Sequence, residues 1–153
     1  MRVAYPSPVS HVIVSRIINR SVTDVWDDVA DISSHVTWML DAVAIRFTDE
    51  QTSGVGTTFE CDTKIGPISL TDVMEITAWE DEARMGVRHI GLVTGVGEFT
   101  LHPIGKHKTN FRWEEKLSFP WWLGGPVGEL IGKPILAFIW NGNLKRLKAR
   151  LET

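Results

Sequence analysis

The 153-residue sequence has a single cysteine, Cys61. One cysteine excludes an intramolecular disulfide and a thiolate metal cluster. No His-Glu-x-x-His segment, carboxylate cage or histidine cluster replaces it, so no metal and no cofactor are expected. An excess of positive charge is also missing, with 16 lysines and arginines against 19 acids and a net charge of −3. Nucleic-acid modules usually show a basic stripe, so no nucleic-acid partner is expected. Lys145, Arg146, Lys148 and Arg150 stand together where a helix C-terminus favours cations. There is no apolar signal-peptide core behind Met1-Arg2-Val3, and the expected location is the cytoplasm. Gly124, Gly125, Pro126, Glu129, Lys133 and Pro134 interrupt the apolar stretch from Phe119 to Trp140, leaving no clean run of about 20 residues to span a bilayer. Membrane contact is expected to be transient at most. Neither a serine nucleophile elbow nor a phosphate loop in a strand-to-helix setting is present.

What is present is alternation. A first strand is predicted over 10–19. Ser21 then opens a helix in which Val22, Val25, Trp26, Val29 and Ile32 recur at helical spacing, and a short second helix or turn follows over 33–39. From Val43 the pattern predicts strands at 43–49, 55–65, 68–79, 84–92, 96–104 and 109–119, separated by Gly-, Pro- and Asp-containing turns. Such short connections require antiparallel neighbours. One helix, 126–151, closes the chain, with Pro134 as a point where a backbone hydrogen bond is lost. Its segment Pro134–Trp140 has no polar residue on any face, and a helix apolar all round must be enclosed. The strands offer that enclosure: Phe111, Trp113, Leu117 and Phe119 share one side, as do Phe99 with Leu101, and Val43 with Ile45 and Phe47.

Three residues break the inward pattern. Glu115 follows Phe111 and Trp113, Asp72 lies within Ile68, Leu70, Met74 and Ile76, and His89 follows Met85 and Val87. An unpaired buried carboxylate costs about 2–7 kcal/mol, so each should be paired, hydrated or facing a ligand. Desolvation should raise a carboxyl pKa there and make it a candidate acid or base. Hairpins closing near Asp81, Thr94 and Lys106 place Asp72 near Gly91, Gly91 near Gly97, and Gly97 near Glu115. His89 then falls beside Phe99 and Trp113, although a satisfied core histidine fits the same position. Trp38 either anchors the loop after the first helix or, between His35 and Asp41, lines an entrance. Trp121 and Trp122, in the Gly/Pro-rich joint before the last helix, are placed as a rim or lid.

These segments, in order, resemble a known family. Val25-Trp26, Asp31…Trp38-Met39, Gly54-Val55-Gly56, Glu75-Ile76-Thr77-Ala78-Trp79, Gly97-Glu98-Phe99 and Asn110-Phe111-Arg112-Trp113 together resemble the START-like, or SRPBCC, superfamily in its polyketide cyclase/dehydrase-like branch. The resemblance spans about residues 8–152, so the chain, 1–153, is read as one domain. It implies an α+β helix-grip fold: a curved seven-stranded antiparallel sheet around a long C-terminal helix, with two short helices after strand 1. It also implies a cavity for a hydrophobic small molecule such as a lipid, polyketide or quinone. One fold hosts many functions, however. The leading expectation is ligand binding, with Phe59, Met74, Val87, Phe99, Trp113, Ile131, Phe138 and Asn141 as lining. Asp72, His89 and Glu115 would orient polar groups. Against it stand a cyclase or dehydratase using those three residues for acid–base steps, and a protein-interaction module with a collapsed cavity. Oligomeric state is left open.

Overall fold

A computed structural model describes the backbone of residues 10–119 and 125–153 and the side chains of 10–119 and 132–153. Strand β1 (Ser10–Ile18) leads into helix α1 (Val22–Val29), where the Ser21 hydroxyl accepts the Asp24 N–H at 3.1 Å. A 3₁₀ turn, Ile32–Thr37, follows. Strands β2 (Ala42–Phe47), β3 (Thr58–Ile65), β4 (Ile68–Glu80), β5 (Arg84–Ile90), β6 (Thr94–Ile104) and β7 (Lys108–Ser118) then run as a meander before α2 (Gly125–Leu151). The sheet order is β1-β7-β6-β5-β4-β3-β2, with every pair antiparallel. β1 therefore completes the edge beside β7, and α1 with the 3₁₀ turn carries the chain across to the opposite edge at β2.

Period-2 alternation puts one face of each strand against α2. Val12, Val14, Phe111, Trp113, Phe99 and Leu101 are buried there. The outer face carries ion pairs, among them Arg46 with Glu60 and Asp62, and Arg88 with Glu75. Trp38 is fully buried, its ring set against Phe99, Phe111 and Trp113 at centroid distances of 6.0, 6.4 and 6.2 Å. The C-terminal half of α2 completes this core through Leu144 and Leu147 and packs on β1.

Three expectations are corrected. The pairing shifts between Ala42 and Ala44, a bulge that turns Ala42 inward and leaves Val43 53% exposed, while Ile45 and Phe47 stay inward. The β5–β6 hairpin closes two residues earlier than its turn residues suggest, so Gly97 faces Val87 instead of Gly91. Gly91 and Gly95, both at positive φ, make the tight closure possible. An even displacement preserves every side chain's face, so the inward set survives the correction. Finally, the Pro134–Trp140 segment is not enclosed all round. Leu136 and Trp140 face the sheet, but Ile135 is 47% and Phe138 81% exposed.

Candidate functional site

The concave face of the sheet and α2 leave a pocket between them. Side chains from β2 to β7 and the inner side of α2 surround a cavity of about 160 Å³. That is room on the scale of ten waters. Phe59, Met74, Val87, Phe99 and Trp113 line it. From α2 the lining is Leu136 and Trp140, the latter stacked on Trp113 with ring centroids 4.9 Å apart. Phe138 and the exposed Asn141 point away from the pocket, so neither lines it. Trp38 does not line it either: it anchors its loop within the core. Trp121, Trp122 and the side chain of Ile131 lie outside the described residues.

The three inward polar residues meet at one end. The β7 alternation points Glu115 inward, directly opposite Gly97 of β6. A Cβ built at position 97 would overlap the Glu115 carboxylate, so the bare glycine lets that side chain lie across β6 and reach β5. There the carboxylate Oε2 meets His89 Nε2 at 2.9 Å. The other oxygen, Oε1, accepts the Trp113 indole N–H at 2.9 Å. Glu115 and His89 side chains are only 6% and 10% exposed. Asp72 approaches from β4 and packs against Gly91, 5% exposed, with its Oδ1 lacking any partner. Asp72 near Gly91 and Glu115 beside Gly97 agree with the sequence reading. His89, however, pairs with Gly95 and reaches Glu115 instead of lying alongside Phe99.

Burial works hardest on both titrating groups. For His89 it disfavours the imidazolium, yet the Glu115 hydrogen bond and the charges of Glu115 and Asp72 outweigh it and raise the pKa. For Asp72, burial raises the carboxyl pKa against the opposing pull of the His89 charge and the Leu92 and Val93 amides. Burial of Asp72, with Oδ1 unpartnered, disfavours its charged form and costs stability as pH rises through the raised pKa.

Other polar lining is structural. His35, its pKa lowered by burial, donates from Nε2 to the Val29 carbonyl at 2.7 Å. Asp41 accepts from Trp140 Nε1 at 3.2 Å and from Asn143 Nδ2 at 2.6 Å, tying the β2 edge to α2. Asn143, fully buried, also accepts the Leu40 N–H at 3.1 Å. Cys61 lines the pocket beside Asp72, but burial pushes its thiol up to about 11, which removes its nucleophilicity. Among the described residues no group of three His, Cys, Asp or Glu could hold a metal ion, and no helix is long and apolar enough to cross a membrane. The sequence reading missed Leu136, Trp140 and Asn143. The signal was present in the spacing Leu136, Trp140, Asn143, Leu144, Leu147, Leu151, which places the buried stripe two residues out of phase with Phe138.

A seven-stranded antiparallel sheet gripping a long C-terminal helix, with a pocket between them, defines a START-like protein of the helix-grip class. The family model for polyketide cyclase / dehydrase and lipid transport matches residues 10–152, and the chain belongs to that family. Its fold is similar to a START superfamily protein from Mycobacterium smegmatis (TM-score 0.78, 13% identity, 93% of this chain and 97% of that one). It is also similar to the ZhuI aromatase/cyclase from Streptomyces sp. R1128 (TM-score 0.75, 13% identity, 95% and 94%). A protein from Thermus thermophilus gives a TM-score of 0.73 at 16% identity, over 92% and 96%. At these identities the likeness is one of fold. No curated protein matches the sequence.

Proposed function

We propose that this protein binds a hydrophobic small molecule, lipid, polyketide or quinone-like, between α2 and the concave face of the sheet. The observation that carries the reading is an apolar pocket left open where a filled core would have been more stable, with one buried polar cluster at its end. Family membership supports it. The apolar dye N-phenyl-1-naphthylamine should bind saturably at one site. Val87→Trp, which fills the pocket beside Gly97, should weaken that binding at least about tenfold without loss of fold. Absence of dye uptake, or equal uptake by both proteins, would sink the reading.

A second reading is favoured by the 2.9 Å His89–Glu115 contact, a buried acid–base pair facing the same pocket. It is a cyclase or dehydratase acting on a polyketide-like substrate, with Asp72 as a third polar group. In a cyclisation assay with a reactive polyketone, Glu115→Gln and His89→Ala should lower turnover about 10²-fold or more while dye binding persists. Unchanged turnover in both variants excludes this role.

A further inference from the structure

The carboxyl and imidazole side chains among the described lining residues are Asp41, Asp72, Glu98, Glu115, His35 and His89, and no lysine or arginine is among those residues. A buried anion requires a counter-ion or several charge-assisted donors. Of the two histidines among the described lining residues, His35 is held by the Val29 carbonyl and disfavoured as a cation by burial, and His89 is held by Glu115 at 2.9 Å. The indole N–H groups of Trp113 and Trp140 are likewise engaged, by Glu115 and Asp41. Among the described lining residues, what remains unsatisfied is an acceptor: the Asp72 carboxylate, 5% exposed, whose Oδ1 packs against Gly91 without a partner.

Resting on the ligand-binding reading above, we infer that the ligand's polar end is a neutral hydroxyl, alcohol or phenol, and that molecules headed by a carboxylate or phosphate are rejected. A hydroxyl supplies the donor that Asp72 lacks and brings no charge into the site. A carboxylate or phosphate would face Asp72 and Glu115 with no free cation among the described lining residues. The apolar walls, Phe59, Met74, Phe99 and Trp113 among them, take the rest of the molecule.

Three two-ring probes of matched size test this by isothermal titration at pH 7: 2-naphthol, 2-naphthoate and 2-methylnaphthalene. A phenol, with a pKa of about 10, stays protonated there. Naphthol should bind at least about tenfold tighter than either of the others, since a site built for a hydroxyl rejects analogues lacking it. In Asp72→Asn, whose fold is verified by its melting temperature, the discrimination against naphthoate should shrink at least about fivefold. Naphthoate binding as tightly as naphthol overturns the inference, and so does methylnaphthalene binding equally. Unchanged discrimination in Asp72→Asn overturns the assignment to this end of the pocket. Binding of methylnaphthalene and the naphthylamine dye without any preference for naphthol removes only this inference. Failure of all four molecules to bind removes the ligand-binding reading itself.

Discussion

Replacing His89 by leucine is expected to lower the unfolding free energy by about 3–5 kcal/mol at pH 6, because Glu115 is left as a buried carboxylate without its partner. Both side chains are at most 10% exposed, so solvent cannot take over the lost contact. Glu115→Leu should cost less than the sum of its own lost bonds suggests, since His89 can become neutral, although the Trp113 N–H loses its acceptor. The double variant should recover most of the loss: replacing a buried pair by apolar residues is often neutral. Urea unfolding of the four proteins measures the coupling directly. A double variant as unstable as the sum of the single ones contradicts the pairing. The pH dependence has a definite sign. The folded-state pKa of His89 is raised above its ordinary value of 6.5, so its stabilising contribution is complete below about pH 6.5 and is lost as pH rises through the folded value. The gap between wild type and His89→Leu should accordingly narrow on going from pH 6 to pH 9. A gap that widens with pH excludes the ion pair.

Gly97→Ala is expected to be nearly as damaging, for a related reason. The new methyl group takes the space of the Glu115 carboxylate, which can leave only by giving up His89 and Trp113. A loss of about 3 kcal/mol is expected in the wild-type background. In a Glu115→Ala background the same substitution should cost less than about 1 kcal/mol, since nothing then occupies the space. Gly95→Ala provides the contrast. Gly95 has φ of +138°, and a Cβ there would overlap the Lys116 backbone carbonyl. Its cost, about 2 kcal/mol or more, should be the same in both backgrounds because the backbone cannot move aside. Equal effects of Gly97→Ala in the two backgrounds would show that the glycine is not there for Glu115.

Asp72, Glu115 and His89 were legible as inward polar residues because a strand's facing depends only on counting by two from its apolar neighbours. Glu115 opposite Gly97 was legible as well, since the β6–β7 turn sits at Gly105, where its turn residues place it. The contact between His89 and Glu115 was not legible. It depends on the β5–β6 hairpin, whose turn the positive-φ pair Gly91 and Gly95 places two residues earlier, and on the missing Cβ at 97 between the two side chains. Asn143 illustrates a different difficulty. Its partners, Asp41 and Leu40, are about a hundred residues away, and no local pattern records them.

By itself the sequence determined the elements, their order, the antiparallel meander and the identity of the polar residues turned toward the interior, because those follow from local periodicity and turn chemistry. Tertiary structure decided which residues meet. β1 closes onto β7, and α2 rotates so that Leu136 and Trp140 face the sheet while Phe138 faces water, with a pocket left between helix and sheet. A helix segment apolar on every side carries no information about its own rotation. That rotation is set where its C-terminal half docks, by Asn143 on Asp41 and by Leu144 and Leu147 in the core.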